Sequence, residues 1–300
     1  MPSPETVPAE PPFEVIAASP PASAVVLASP HSGRRYTQAF LGRTRLDEAA
    51  LRRSEDAHVD ALLVHAPARG AALIKALFPR TYIDVNREPL ELDPDMFAEP
   101  LPGCVHAASP RVRSGLGTVA RLGANGQPIY RGVLSLAEAR ARLNACYFPY
   151  HRALRALVRA AQARFGYAIV LDCHSMPSQA VARTAGLPAR RRGAARGVDV
   201  VLGDCHGSAC HPAVADTAEA ALAGLGYAVI RNAPYSGGFT TRHYGRPEAG
   251  VHALQIEVNR ALYLDEERLR PTDGVAPLAR DLARLVAALA ATLPFARAAE

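Results

Sequence analysis

The chain has 300 residues, of which 49% are hydrophobic, so it can build one sizeable core, and no apolar run is long enough to cross a bilayer. Its net charge of +6 comes mainly from scattered arginines without a nucleic-acid motif, so we expect neither a membrane nor a nucleic acid as partner. Five cysteines without CxxC spacing argue against a disulfide framework, and an N-terminus without a signal peptide indicates a cytoplasmic protein.

The first segment of the chain, residues 1–12, is rich in proline and lacks hydrophobic periodicity. We therefore predict a disordered tail. The remaining residues, 13–300, show no internal repeat and no linker composition. A single domain is the simplest interpretation of that pattern.

Short apolar runs bounded by Gly, Pro or Asp predict strands that are buried on both faces. In chain order these runs cover residues 24–28, 82–85, 168–171, 198–202, 227–231 and 253–258. Amphipathic patterns predict helices over 47–66, 137–165, 212–225 and 272–293, and Pro149 should kink or split the second of them. The Arg-rich residues 176–197 are predicted to form a loop over the sheet. Alternating strands and helices predict an α/β fold with a layered sheet.

Polar residues of ligand and catalytic types follow several predicted strands. They are His31 and Ser32, Asn86 and Arg87, Asp172 and His174, Asp204 and His206, and Asn232. Open α/β sheets bind ligands at the carboxyl ends of their strands. A single histidine at a strand end is more often a hydrogen-bonded structural residue. Several such ends at one edge of a sheet favour a functional site.

His31 and His174 are the best candidates for imidazole ligands of a metal, because each closely follows a buried strand. Catalytic zinc takes three protein ligands from His, Asp and Glu and leaves one position for water. The carboxylate could come from Glu55 or Asp56, early in the first long predicted helix. The alternative for both acids is a charge that matches the helix macrodipole, and their position alone does not separate the two explanations.

Two further charged residues point to catalysis or substrate binding. Arg87 beside Asn86 can hold a substrate carboxylate through two hydrogen bonds, or it can pair with a neighbouring glutamate. Glu257 lies within an apolar run, where an unpaired acid is costly. Beside a metal-activated water it would serve as a general base, and otherwise it would be a buried partner of Arg260.

Seven segments in a fixed order carry a more specific signal. They read SPHSG (29–33), SED (54–56), DVNR (84–87), DCHS (172–175), VLGD (201–204), NAPYSGG (232–238) and QIEVNRALY (255–263). Together they resemble the N-formylglutamate amidohydrolase family over roughly residues 24–266. That family is similar in turn to zinc carboxypeptidases and aspartoacylases.

The resemblance implies a three-layer α/β/α fold with a mixed, mostly parallel central sheet, in which residues 13–300 form one catalytic domain. It also implies a Zn²⁺ cofactor, with another divalent metal as the alternative. The implied ligands are His31, His174 and a carboxylate, for which we prefer Asp56 and keep Glu55 as the alternative.

The activity that the resemblance implies is hydrolysis of N-formyl-L-glutamate to formate and L-glutamate, as in histidine degradation. Glu257 matches the glutamate that activates water, and Asn86 with Arg87 matches the pair that binds substrate. Arg87 is also a candidate for stabilising the oxyanion. The alternatives are a deacylase for another N-acyl amino acid and a non-catalytic binding protein on the same scaffold. The oligomeric state is not predicted.

Five further residues are candidates for substrate contacts: Tyr235, Gly237, Gly238, Arg183 and Arg242. The first three lie in segment 234–238, which resembles a mobile flap because paired glycines permit unusual backbone angles near a ligand. An ordinary surface turn is the alternative. His206 and the Arg-rich residues 183–196 depart from the family pattern and receive no role.

Overall fold

The structure, a computed structural model, describes residues 11–18, 20–181 and 197–292. Two compact units divide the chain: unit 1 comprises Met1–Glu14, Pro30–Ala57 and Lys75–Leu154, and unit 2 comprises Val15–Ser29, His58–Ile74 and Arg155–Glu300. Residues 1–10 of the predicted tail and the Arg-rich segment 183–196 lie outside the described residues. The single catalytic domain over 13–300 stays a prediction.

Seven strands form one mixed sheet in the order β1-β3-β2-β4-β7-β5-β6. They are β1 (Phe13–Ile16), β2 (Val25–Ser29), β3 (Ala72–Ala76), β4 (Ala168–Met176), β5 (Val200–Gly203), β6 (Val229–Arg231) and β7 (Val251–Asn259). Strands β2, β4 and β7 pair in parallel, whereas β5 runs antiparallel to β7 and parallel to β6. The predicted fold class, α/β with a mixed and mostly parallel sheet, is confirmed. A separate two-stranded sheet pairs β8 (Leu264–Asp265) with β9 (Arg270–Pro271).

The α-helices of the described residues lie between the strands, except α9, which follows them, and they vary widely in length. They are α1 (Gln38–Arg43), α2 (Glu48–Arg52), α3 (Val59–Leu62), α4 (Pro110–Arg113), α5 (Leu136–Arg142), α6 (Phe148–Phe165), α7 (Pro212–Gly224), α8 (Phe239–Tyr244) and α9 (Val275–Ala291). Helices α7 and α9 contact each other in unit 2 and bury apolar residues such as Leu222 and Leu285. Within the described ranges, no helix has the length and apolar character that crossing a membrane requires.

Residues 82–85, predicted as a strand, do not form one. The backbone turns here, with the N–H of Tyr82 donating to the carbonyl of Pro79 at 3.0 Å. Ile83 and Val85 are nevertheless fully buried, which explains the apolar run in the sequence. Strand β3, which the sequence analysis missed, lies shortly before this segment.

The predicted helix over 47–66 is broken into α2 and α3. In the turn between them, the N–H of Asp56 donates to the carbonyl of His31 at 3.0 Å instead of continuing the helix. His58 then takes a positive φ of 62° before α3 begins. Glu55 and Asp56 therefore do not lie in the first turn of a helix, and the macrodipole does not explain them.

The predicted helix over 137–165 consists of α5 and α6 joined by a π-helical turn at Leu143–Tyr147. Within it, the N–H of Phe148 reaches back five residues to the carbonyl of Leu143. Pro149 follows at once, and it has no N–H with which to continue the ordinary α-helical pattern. The irregularity predicted at Pro149 is therefore a π turn rather than a split.

Candidate metal and catalytic site

His31 lies two residues beyond β2 and is buried between two carboxylates of unit 1. Its Nε2 is 2.7 Å from Oδ1 of Asp84, and its Nδ1 is 3.3 Å from Oδ2 of Asp56. A histidine that ligates a metal with one nitrogen commonly donates from the other nitrogen to a carboxylate. The surroundings of His31 match that arrangement, with Asp84 as the orienting group and Asp56 on the ligand side.

Asp84 is a site residue to which the sequence analysis gave no role. Its Oδ2 lies 2.8 Å from Nη2 of Arg80 and 3.7 Å from Nη2 of Arg87. Burial raises the pKa of this carboxyl, but the charges of Arg87, His31 and Arg80 outweigh burial and hold the pKa well below its usual range. Asp84 is therefore ionised at neutral pH. The signal that could have found it was its place in the DVNR segment, two residues before Asn86.

The two alternative carboxylates, Glu55 and Asp56, point to different partners. Oε1 of Glu55 accepts hydrogen bonds from the hydroxyl of Tyr36 at 2.9 Å and from Nε of Arg52 at 3.3 Å. Burial raises the pKa of Glu55, while these two partners oppose the shift. Asp56 instead faces His31, so it is the acid of the pair that is placed to share a metal with that histidine.

The guanidinium of Arg87 is buried and held by the backbone. Its Nε donates to the carbonyl of Leu116 at 2.9 Å, and its Nη1 donates to the carbonyl of Asn86 at 2.8 Å. Burial lowers the pKa of Arg87 to about 10, so the group stays charged at neutral pH. The single hydrogen of Nε is already used, so Nη1 and Nη2 carry the hydrogens that could bind a further acceptor.

In unit 2, strands β4 and β7 bring His174 and Glu257 side by side as Cα register partners. Both residues are buried. Nε2 of His174 lies 3.0 Å from Oδ1 of Asp172, which leaves the strand on the same face. Strand β4 is longer than predicted, so Asp172 and His174 lie within the strand rather than beyond its end. Strand β7 extends past the predicted range 253–258 at both ends, and Glu257 lies within the strand as expected.

Gln255 is a second residue that the sequence analysis missed. Its Nε2 donates to Oε1 of Glu257 at 3.0 Å, and its Oε1 accepts from the N–H of Gly238 at 2.6 Å. The alternation of a strand places residues 255 and 257 on one face, and this was the signal available in the sequence. Gln255 links the candidate base to the glycine-rich segment.

Segment 234–238 is fastened at several points. The N–H of Cys205 donates to the carbonyl of residue 236 at 2.7 Å, and Nη1 of Arg242 donates to the carbonyl of Gly237 at 3.1 Å. Gly237 has a φ of 132°, and a Cβ added there would lie 2.6 Å from Sγ of Cys205. The glycine at 237 permits this close packing of the turn. The predicted flap stays a prediction.

The remaining candidates for substrate binding lie in varied surroundings. Tyr235 is half-buried and packs against the apolar cluster that contains Met176 and Val201. Arg242 is exposed on α8 beside segment 234–238. Arg183 lies outside the described residues, so its predicted role is not addressed by the structure.

The polar residues that follow β5 and β6 do not lie at the edge of the sheet where β2 and β4 end. Strand β5 runs antiparallel to β7, with Gly203 level with Gln255, so β5 and β6 end in the opposite direction from β2 and β4. The residues concerned are Asp204, His206 and Asn232. Nδ2 of Asn232 donates to Oδ1 of Asp204 at 2.8 Å, and this pair supports the local turn. The expectation that these strand ends converge with the others is wrong.

His31 and Asp56 of unit 1 and His174 of unit 2 are buried, and each offers one atom of a type that can bind a metal ion. Two imidazoles and one carboxylate are a donor set that catalytic zinc accepts. Ligands about 2.1 Å from a tetrahedral ion lie roughly 3.4 Å apart. The separation of 3.3 Å between Nδ1 of His31 and Oδ2 of Asp56 is close to that value.

Residues 23–264 match the family model described as N-formylglutamate amidohydrolase. The N-formylglutamate deformylase of Pseudomonas aeruginosa is 32% identical over 247 residues, which cover 81% of this chain and 83% of the relative. That of Pseudomonas putida is 29% identical over 246 residues, or 81% and 82% of the two chains. The crystal structure of N-formylglutamate amidohydrolase from Ralstonia eutropha JMP134 matches with a TM-score of 0.84 and 37% identity, covering 94% of this chain and 98% of that chain.

Proposed function

Because the chain belongs to the N-formylglutamate amidohydrolase family, we propose that it hydrolyses N-formyl-L-glutamate to formate and L-glutamate, as a step of histidine degradation. The observation that carries the proposal is the register pairing of His174 with Glu257 on β4 and β7. This pairing sets a carboxylate suited to general-base catalysis beside an imidazole suited to metal binding. The names of the Pseudomonas relatives support the choice of substrate.

Zn²⁺ is the cofactor that we propose, with His31, Asp56 and His174 as its ligands and another divalent metal as the alternative. When bound, zinc lowers the pKa of a water molecule and polarises a carbonyl oxygen. The hydrogen bond between Nε2 of His31 and Asp84 supports this assignment, because it leaves Nδ1 of that ring for the ligand role.

Glu257 is the general base in this proposal. Its carboxylate takes a proton from water as the water oxygen adds to the formyl carbon, and it then delivers that proton to the leaving nitrogen. The C–N bond breaks, and formate and the free amino acid are released. The Nε2 donor of Gln255 supports an ionised Glu257, since an amide N–H favours a carboxylate acceptor that carries its charge.

Arg87 remains the first candidate for binding a substrate carboxylate, with Asn86 beside it. Its guanidinium is held by backbone carbonyls and therefore loses little side-chain entropy when it binds. We also assign Arg87 a part in stabilising the oxyanion. Arg242 is the second candidate, because it lies beside segment 234–238, which carries Tyr235.

The experiment that tests the function is a measurement of formate release together with metal content. We expect the purified protein to contain one equivalent of metal and to prefer N-formyl-L-glutamate over N-formyl-L-methionine and N-acetyl-L-glutamate. Activity should disappear after exhaustive chelation and return with zinc. Full activity in the metal-free protein would reject the metal mechanism, and a preference for the acetyl substrate would replace the proposed specificity.

A further inference from the structure

We propose that Gln255 is a positioning residue that couples the Gly237–Gly238 turn to the carboxylate of Glu257. The inference rests on the proposed function, in which Glu257 is the general base. Gln255 and Glu257 are two residues apart on β7, so both side chains leave the same face of the sheet. They are 4% and 8% exposed, so bulk water does not compete strongly for their hydrogen bonds.

The orientation of the Gln255 amide is dictated by Gly238. A backbone N–H can only donate, so the amide oxygen must face it, and Oε1 lies 2.6 Å from this nitrogen. The amide nitrogen is then turned to Glu257, where it donates to Oε1 at 3.0 Å. If the amide were turned over, its N–H would face the N–H of Gly238 and its oxygen would face the carboxylate of Glu257. Both hydrogen bonds would then be lost.

Holding one oxygen of Glu257 restricts the rotation of its carboxylate, and therefore sets the direction in which the other oxygen points. A general base works only within hydrogen-bond reach of the proton that it removes. Small errors in such an alignment cost large factors in rate. Gln255 therefore acts on catalysis through the geometry of Glu257, without contacting the reacting atoms.

The turn that fixes Gln255 is itself held closely. Gly237 has a φ of 132° and leaves no room for a Cβ beside Sγ of Cys205. Arg242 donates from Nη1 to the carbonyl of the same glycine at 3.1 Å. A movement of this turn would therefore be transmitted through the Gln255 amide to Glu257. A substrate that contacts the turn can in this way align the base.

The test compares two substitutions of Gln by Met, at positions 255 and 162, in the metal-loaded enzyme. Gln255→Met keeps the length of the side chain but removes both hydrogen bonds. We expect kcat to fall about 10- to 100-fold, with KM changed by less than about threefold and metal content unchanged. Gln162→Met is the control, because Nε2 of Gln162 donates only to the surface carbonyl of Ala249. Its kcat should equal that of the wild type.

A double-mutant cycle with Glu257→Gln separates positioning from a general structural role. If Gln255 acts through Glu257, Gln255→Met will lower kcat by less than about twofold in the Glu257→Gln background. An equal loss in both backgrounds overturns the proposal. Gln255→Glu is the second variant, since it keeps an acceptor for the N–H of Gly238 but places an oxygen against Glu257. It should also lose kcat, and wild-type kcat in it would overturn the proposal.

Amide hydrogen exchange gives a readout that does not depend on the substrate. Exchange at Gly238 should become faster in Gln255→Met, while Gln162→Met should leave it unchanged. If the wild type does not cleave N-formyl-L-glutamate, the proposed substrate is wrong, yet faster exchange would still support the link to the turn. Unchanged exchange at Gly238 would overturn the coupling whatever the substrate.

Discussion

Oδ1 of Asp84 lies 2.7 Å from Nε2 of His31, and this contact determines which ring nitrogen can meet a metal. An ionised carboxylate only accepts hydrogen bonds, so the hydrogen of this contact lies on Nε2. Nδ1 is then the ring nitrogen left for a metal, and it lies 3.3 Å from Oδ2 of Asp56. A cation placed between Nδ1 and this oxygen could be bound by both atoms.

Asp84→Asn should weaken zinc binding about 10- to 100-fold, because the amide is a poorer partner for Nε2 and no longer fixes the ring. Competition with a fluorescent chelator measures this affinity. Asp93→Asn is the control, since it removes another buried carboxylate that pairs with Arg121 at 2.7 Å. Equal affinity in wild type and Asp84→Asn would contradict the orienting role.

The two adjacent acids can be separated by their effect on metal binding. Asp56→Asn should weaken zinc binding by at least about tenfold, because it removes a charged ligand. Glu55→Gln should change the affinity by less than about twofold, because its side chain faces Tyr36 and Arg52. Titration of the metal-free proteins with zinc checks both values. If Glu55→Gln lost more zinc affinity than Asp56→Asn, Glu55 would replace Asp56 as the proposed ligand.

Glu257→Gln should lower kcat for N-formyl-L-glutamate by about 10²- to 10⁴-fold, because an amide cannot accept the proton of water. Metal content and the thermal unfolding midpoint should stay close to those of the wild type, since Gln has nearly the same shape. Steady-state kinetics and metal analysis on the same sample are the measurements. Near wild-type turnover in the folded, metal-loaded variant would remove Glu257 from its role.

Gly237→Ala should lower the free energy of unfolding by about 1–3 kcal/mol, because it combines a positive φ with a Cβ 2.6 Å from Sγ of Cys205. The matched variant is Gly126→Ala, where φ is 74° and a Cβ would meet open space. We expect about 1 kcal/mol there, from the backbone alone. Urea denaturation measures both. A smaller loss at Gly237 than at Gly126 would contradict the close approach.

The sheet could be predicted where apolar residues are continuous, as in β4 and β7. Strand β3 could not be predicted because Lys75 interrupts its apolar run. In the structure, Nζ of Lys75 pairs with Glu14 at 3.1 Å. The opposite error at 82–85 arose because Ile83 and Val85 are buried in a turn. A buried turn and a buried strand give the same apolar run in the sequence, and only their backbone hydrogen bonds distinguish them.

The candidate site was predictable to the extent that its residues follow or interrupt buried strands. His31, His174 and Glu257 share that property. Asp84 and Gln255 do not stand out in the sequence, because their roles depend on partners set by the fold. Asp84 meets His31 across 53 positions, and Gln255 meets the N–H of Gly238 across 17. The metal-ligand, catalytic and substrate-binding assignments remain predictions.

The π turn at Leu143–Tyr147 sets the rotational phase of the helix that follows it. The hydroxyl of Tyr147 donates to the carbonyl of Arg87 at 2.7 Å, and Nε2 of His151 donates to that of Val85 at 2.8 Å. Deleting one residue from the turn would rotate His151 by roughly 100° about the helix axis. The carbonyl of Val85 would then lose its hydrogen-bond donor. A change in the number of residues between α5 and His151 would therefore disturb the backbone contacts of the DVNR segment.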